Sequence, residues 1–406
     1  MNFPVARQSL DHAQQLLADK TRRPLSHYVY PPSPFSERDR QHAQQALAAT
    51  EIAQPALGAA SVAACRLLAE LGLEPHLTAG HSYGEFAALW AAGVLTVDEL
   101  LSLSHLRGEL IREATQQDGA GGMAAIHADA STAASLAEGL ASVTLANVNA
   151  PDQIVLSASQ EELEKLLDRA QKKRVRAQRL PVACAFHSPL VADANEPLAK
   201  RLHEHDFRAP DKPVYSNVTA LPYGEGLDEI RATLSRHLTS PVKFVDQIEA
   251  MYSAGARVFV EAGPNDVLTS LTRRILGDKQ HLAIAIDVPG RDGLLQLAHA
   301  LGRLFTEGMP LRLEKLFAPR HIPALDLSRV NDRNGGLSHS PSTWLVNGVR
   351  SRAQNAPEPQ ILGTRQEPQY SPPASDRATL HKHTPSTSSR EVASETSPIA
   401  VEKMQI

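Results

Sequence analysis

Gly80-His81-Ser82-Tyr83-Gly84 constrains the chain more than any other stretch, because it joins a short extended approach, His76 to Ala79, to an alanine-rich helical run, Glu85 to Ala92. A serine between two glycines at a strand-to-helix turn is the pattern of a nucleophile elbow. The glycines are expected to permit a turn that side chains at their positions would block, so that Ser82 stands proud of a sheet at a helix N-terminus. There the backbone N–H of Tyr83 can face an oxyanion beside the attacking oxygen. His81 is a poor candidate for the base, since adjacent residues on a turn diverge and the base should come from far along the chain.

The remaining composition limits the function classes. With 42% hydrophobic residues, 21% charged residues and a formal net charge of −4, the chain carries no basic excess suited to nucleic acid or an anionic membrane. Its two cysteines, Cys65 and Cys184, lie in apolar runs and read as buried thiols of a reducing compartment. No run of about 18 apolar residues and no charged-then-apolar leader is present, which predicts a cytoplasmic protein. The 17 histidines show no metal-ligand spacing, so no metal is expected.

Along the chain, helical spacing over Phe3 to Leu17 leads into a proline-broken loop (Tyr28 to Pro34), a polar helix (Glu37 to Thr50) and a small-residue apolar helix (Ala53 to Leu73). Thr96 and Glu99 form a capping box opening the next helix. From residue 121 the pattern changes to strand Met123 to His127, helix Ser131 to Leu140, strands Val143 to Asn147 and Gln153 to Ala158, helix Gln160 to Lys173 and strand Arg176 to Phe186. This β-α-β-β-α-β order predicts an inserted ferredoxin-like unit. Beyond it the pattern reads helix Val191 to Asp206, strand Pro213 to Asn217, helices Leu227 to Leu238 and Pro241 to Ala254, strand Arg257 to Ala262, a helix ending near Leu276, strand Leu282 to Ile286 and an amphipathic helix Gly290 to Glu307.

Two further residues stand out. Arg107 lies within the helix opened by Thr96 and, on spacing alone, reads as a surface arginine paired with Glu109 or Asp98. His187 ends the inserted unit just before Ser188-Pro189, a place from which an imidazole can reach back to Ser82; the alternative is a structural histidine. The run Lys172, Lys173, Arg174, Arg176 and Arg179 reads as a solvated basic face able to meet an acidic partner.

Taken together and in order, these landmarks resemble the malonyl-CoA:acyl carrier protein acyltransferases, closest to the acyltransferase domains of type I polyketide and polyunsaturated fatty acid synthases. The resemblance is carried by GHSYGE (Gly80 to Glu85), LRGEL (Leu106 to Leu110), GGMAAI (Gly121 to Ile126), NVNAPDQIVLSAS (Asn147 to Ser159), AFHSPL (Ala185 to Leu190), YSNVTA (Tyr215 to Ala220), SPVKFVDQI (Ser240 to Ile248) and VEAGPNDVLTSL (Val260 to Leu271). It implies an α/β fold: an α/β-hydrolase-like large subdomain with a parallel sheet, residues 1–120 and 188–318, and an inserted ferredoxin-like small subdomain, residues 121–187. It also implies a linker over 319–350, centred on Thr343 to Gly348. A disordered tail is expected over 351–406, where apolar residues are too sparse to offset the entropy of ordering.

For the site, the resemblance implies Ser82 as nucleophile, His187 as general base and then acid, the Tyr83 N–H as oxyanion donor and Arg107 as the binder of a malonyl carboxylate. Met123 and Phe186 match pocket-lining positions, and a phenylalanine before the histidine accompanies malonyl selection, although Cys184 replaces the usual histidine of H-A-F-H. The backbone carbonyl of His237 is expected to orient His187. The resemblance implies no cofactor beyond malonyl-CoA as substrate and the phosphopantetheine of a partner, an acyl carrier protein within or beside other synthase domains. The first strand and G-Q-G-x-Q loop of the family are expected to be missing, since the N-terminal residues match the segment that normally comes after that loop. The expected activity is that of an S-malonyltransferase; the alternatives are a catalytically impaired fragment that binds a carrier protein or companion subunit, and an ordinary esterase, whose histidine would come later in the chain.

Overall fold

The computed structural model describes residues 3–118, 121–317, 344–346 and 351–353. The chain divides into two units, one reaching Arg320 and one spanning His321–Glu402. Within the first, α1 (Pro4–Leu16), α2 (Leu25–Val29) and α3 (Glu37–Ala48) lead to α4 (Thr50–Glu70), then β1 (Thr78–Ala79), α5 (Gly84–Ala91) and α6 (Val97–Asp118). The next stretch is β2 (Gly122–Ile126), α7 (Ala130–Ala137), β3 (Thr144–Ala150), β4 (Gln153–Ala158), α8 (Gln160–Lys172) and β5 (Ala177–Arg179). After a 3-10 turn at Pro189–Ala194 come α9 (Asn195–His203), β6 (Val214–Tyr215), α10 (Leu227–Arg236), α11 (Phe244–Ser253), β7 (Val258–Glu261), α12 (Val267–Leu276), β8 (Leu282–Ala285) and α13 (Gly293–Thr306).

Strands β2 to β5 form one antiparallel sheet in the order β3-β4-β2-β5, the arrangement a ferredoxin-like unit requires. Helices α7 and α8 cover one face, burying Ile126, Leu136, Ile154, Leu163 and Leu166 in a core of their own. The other face presents Met123, Ala125, Ala146 and Val155 towards Phe186. The larger part pairs β1 with β6 and β7 with β8, both parallel. Its core gathers α5, α6, α9 and α10 around Phe86, Leu89, Leu100, Leu103 and Leu198.

Helix α4 is apolar and long enough to cross a membrane by composition, yet 61% of its apolar window is buried inside the fold. Its closest neighbour is α6, and Gly108 sets their separation. A Cβ at Gly108 would stand 2.4 Å from the Thr50 carbonyl oxygen and 2.5 Å from the Glu51 Cα. Thr50 Oγ1 donates to the Gly108 carbonyl at 2.8 Å, which fastens the crossing. The expected capping box opens α6: the Thr96 N–H donates to Glu99 Oε2 at 2.6 Å and the Glu99 N–H to Thr96 Oγ1 at 3.2 Å.

Several elements depart from the sequence expectation. The strand expected over Arg176 to Phe186 stops at Arg179, because Pro181 has no N–H for the ladder and the chain leaves the sheet there. The helix expected from Val191 to Asp206 splits into the 3-10 turn and α9, with Pro197 in the first turn of α9, where a missing N–H is tolerated. The helix expected from Pro241 starts at Phe244, since Val242 is used otherwise. The Val148 N–H donates to the Val242 carbonyl and the Val242 N–H to that of Ala146, at 2.9 and 2.8 Å, tying the antiparallel sheet to the larger part.

In the second unit, β9 (Trp344–Val346) pairs antiparallel with β10 (Ser351–Ala353), Leu345 opposite Arg352. The disorder expected from residue 351 is thereby corrected for Ser351–Ala353, which find a partner in the apolar run Trp344-Leu345-Val346. The rest of the expected tail, and most of the expected linker, lie outside the described residues.

Candidate active site

Ser82 sits between β1 and α5 with φ of 49°, a left-handed conformation that costs a non-glycine residue energy and is held by its surroundings. The two flanking glycines contribute unequally, which corrects the expectation that both are needed. A Cβ at Gly80 would lie 1.9 Å from the Gly84 carbonyl carbon, whereas one at Gly84 would meet nothing within 4 Å. The elbow is clamped by Asn217, whose Oδ1 accepts from the Ser82 N–H and whose Nδ2 donates to the Gly80 carbonyl, both at 2.6 Å.

His187 reaches this serine from 105 residues further along, with Nε2 at 2.7 Å from Ser82 Oγ. Its own φ is 56°, so both partners occupy strained backbone. The tautomer is set by its neighbours. Nδ1 faces two carbonyl oxygens, those of His237 at 3.1 Å and Ser240 at 2.9 Å, and carbonyls only accept. Nδ1 therefore carries the proton and Nε2 is free to take one from Ser82. Burial holds the imidazole well below its ordinary value of 6.5, and the nearby His237, Arg107 and His81 push the same way. The base is thus neutral at physiological pH.

Arg107 is only 1% exposed, which overturns its reading as a surface arginine. The partners expected from spacing are engaged elsewhere: Asp98 Oδ1 lies 2.6 Å from His12 Nε2 and Glu109 Oε2 3.4 Å from His105 Nε2. Arg107 Nη1 donates to Gln54 Oε1 at 2.7 Å. Its Nε and Nη2 find no hydrogen-bond partner among the described residues, and the guanidinium lies 5.6 Å from the centroid of the Phe86 ring. Burial pulls its pKa down to about 10. A cation buried with donors unsatisfied is costly unless an anion completes it.

Ser82, His187, Arg107, Met123 and Phe186 line one cleft, bounded by α4 and α6 on one side, the sheet face of β2 and β4 on another, and Val267, Leu268 and Leu271 of α12 on a third. The Tyr83 side chain turns away from the serine: it stacks on Phe86 at 6.1 Å and its hydroxyl lies 2.6 Å from Ser104 Oγ. Ser104 Oγ donates to the Leu100 carbonyl at 2.5 Å, so the tyrosine is the donor of the pair. The Tyr83 N–H has no acceptor among the described residues. His81 faces Asn149, with Nε2 2.7 Å from Asn149 Oδ1, whereas Ser82 Oγ bonds to His187, so His81 is no competitor.

Residues 2–303 match the model of the acyl transferase domain family. The chain belongs to that family. It is 35% identical over 292 residues to the malonyl CoA-acyl carrier protein transacylase of Bacillus subtilis (strain 168), an overlap of 70% of this chain and 86% of the relative. It is 33% identical over 374 residues to a much longer polyunsaturated fatty acid synthase polypeptide of Thraustochytrium sp., covering 87% of this chain but 13% of that relative. Among solved structures, the acyltransferase domain from the second module of the salinomycin polyketide synthase superposes with a TM-score of 0.68 at 28% identity, covering 83% of this chain and 73% of that one. The Coxiella burnetii transacylase gives 0.63 at 31% identity, covering 73% and 89%.

Around the site stand residues to which sequence reasoning gave no role. Gln54 lines the cleft, and the signal that could have found it is a lone amide on the apolar helix α4, where it is 4% exposed. Asn217 lay inside a motif used only for the resemblance. Ser240 shares with His237 the task of holding His187, and a carbonyl leaves no trace in residue type.

Proposed function

We propose that the chain moves a malonyl group from coenzyme A, through an ester on Ser82, to the phosphopantetheine thiol of an acyl carrier protein. Supporting this, the relatives above include malonyl CoA-acyl carrier protein transacylases, and a further solved structure, 32% identical with a TM-score of 0.63 over 74% of this chain and 92% of that one, is a malonyl-transacylase in complex with a type II polyketide acyl-carrier protein. The observation that carries the reading is the buried, incompletely paired Arg107 in the same cleft as the Ser82–His187 pair. Two free donors on a planar guanidinium match a carboxylate, which malonyl-CoA has and acetyl-CoA lacks.

In the first half-reaction His187 Nε2 takes the proton of Ser82 Oγ as the oxygen attacks the thioester carbonyl. The negative charge that develops on the carbonyl oxygen faces the Tyr83 N–H at the start of α5. Collapse of the intermediate breaks the carbon–sulfur bond, and the proton on His187 passes to the departing coenzyme A sulfur. In the second half the carrier's thiol gives its proton to His187, its sulfur attacks the ester, and Ser82 leaves with that proton. Transfer in preference to hydrolysis requires that water be kept from the ester. The apolar wall of Met123, Phe186 and Leu271 supports this.

The experiment is substrate choice in the Arg107→Ala variant. Malonyl-CoA should lose about 10- to 100-fold in acylation efficiency against acetyl-CoA, as expected for a lost charge-assisted hydrogen bond. An unchanged preference would refute the assignment.

A second reading, in which a companion polypeptide completes the site, is favoured by β7. All four of its residues are half-buried, although parallel strands are ordinarily covered on both faces. It requires that covalent labelling by malonyl-CoA appear only when that companion is added.

A further inference from the structure

Glu85 is wholly buried in the first turn of α5, three residues after the reacting serine. A carboxylate there is favoured by the helix dipole but deprived of water, so what it touches must repay the loss. Its contacts run to both halves of the Ser82–His187 pair. Oε2 accepts from the backbone N–H of Asn217 at 2.6 Å, and the Asn217 side chain in turn holds Ser82 N–H and the Gly80 carbonyl. The same Oε2 lies 3.5 Å from His237 Nε2, and the His237 carbonyl is one of the two that fix His187 Nδ1. Oε1 accepts from the Tyr223 hydroxyl.

We infer that Glu85 is a positioning residue that sets the Ser82–His187 geometry by holding the Asn217 N–H while its carboxyl stands against the His237 ring. The inference rests on the acyl-serine reading above. It explains why an ionisable group is kept in the core beside the elbow, where an apolar side chain of similar size would avoid the desolvation cost. It also explains how two residues in strained backbone are held in register. The nucleophile's clamp and the base's clamp lie far apart in sequence, one on the loop after β6 and one at the end of α10, and Glu85 touches both.

The donors that Glu85 serves dictate the variants. Glu85→Met keeps the length and removes both acceptor oxygens, leaving the buried Asn217 N–H unpaired, whereas in Glu85→Gln the amide oxygen can still accept from Asn217 N–H while its NH2 group donates to the Tyr223 oxygen. Tyr223→Phe removes one donor and leaves Asn217 held. The readout is the labelling rate of Ser82 by a fluorophosphonate probe, in which Ser82 Oγ displaces fluoride from phosphorus while His187 takes the proton. It is measured together with kcat and KM for malonyl-CoA and with circular dichroism as a check on folding.

Labelling and kcat should fall about 10- to 100-fold in Glu85→Met, the loss that a small misplacement of reacting groups causes, and less in Glu85→Gln. KM should stay within about twofold, since Glu85 does not line the cleft. Tyr223→Phe, which leaves Asn217 held, should lose less than Glu85→Met in both rates. Wild-type labelling rates in a folded Glu85→Met chain, or a KM change without a kcat change, would overturn the inference alone. If Glu85→Met does not fold, a folded Glu85→Asp chain, whose shorter side chain draws the carboxylate away from Asn217 N–H, that labels at the wild-type rate would overturn it. A wild-type Ser82 that the probe does not label would overturn the acyl-serine reading together with this one.

Discussion

Arg107 Nη1 donates to Gln54 Oε1 at 2.7 Å, joining α6 to α4 on one side of the cleft and leaving the other side of the guanidinium without a partner among the described residues. An amide cannot neutralise the cation, so the site holds a buried positive charge whose counter-ion is to arrive with the substrate.

This relationship predicts a trade between stability and selectivity. Arg107→Met, unbranched and uncharged though shorter, should stabilise the unliganded protein by on the order of 2 kcal/mol, because a guanidinium pulled down to about 10 by burial disfavours the folded state. The same substitution should abolish the stabilisation that malonyl-CoA gives the wild-type chain. Thermal unfolding with and without the thioester measures both, and a lower melting temperature for the variant alone would refute the claim.

The pH dependence of acylation should differ from that of an exposed histidine. Because burial holds His187 well below 6.5, single-turnover acylation should stay flat from about pH 8 down past the ordinary histidine range and decline only at more acid pH. Linkage gives the sign for stability. The unfolded state binds the proton first as pH falls, so the contribution of neutral His187 is complete above 6.5 and is lost as pH drops from there towards the folded value. Urea midpoints against pH should therefore slope less between those limits in a His187→Asn variant, and an unchanged slope would count against it.

Packing at the α4–α6 crossing should be unforgiving. Gly108→Ala places a methyl group 2.4 Å from the Thr50 carbonyl oxygen, a backbone atom that cannot rotate away. The helices must part, at a cost of about 2 kcal/mol or more. Since Arg107 adjoins this crossing and Gln54 lies across it, malonyl-CoA affinity should fall as well. Equilibrium unfolding and thioester binding to the variant test the two effects, and unaltered values would refute the packing argument.

What could be read from the amino-acid order has a physical pattern. The elbow was legible because a tight turn restricts residue type: Gly80 has no room for a side chain. The antiparallel sheet was legible because its strands alternate with amphipathic helices and lie close in sequence. Arg107 was misread on spacing alone, since nothing local reveals that α4 buries that face of α6. The second carbonyl on His187, from Ser240, was invisible because any residue supplies one. The start of α11 was misplaced because Val242 pairs with a strand almost a hundred residues earlier, a contact no local pattern encodes.

The central claim is a malonyl ester on Ser82, and intact-protein mass spectrometry after brief exposure to malonyl-CoA tests it most directly. The account predicts one malonyl group, on the peptide carrying Ser82, absent in Ser82→Ala and removed by a phosphopantetheine-bearing carrier protein. An unmodified wild-type chain, or the same adduct persisting in Ser82→Ala, would contradict it.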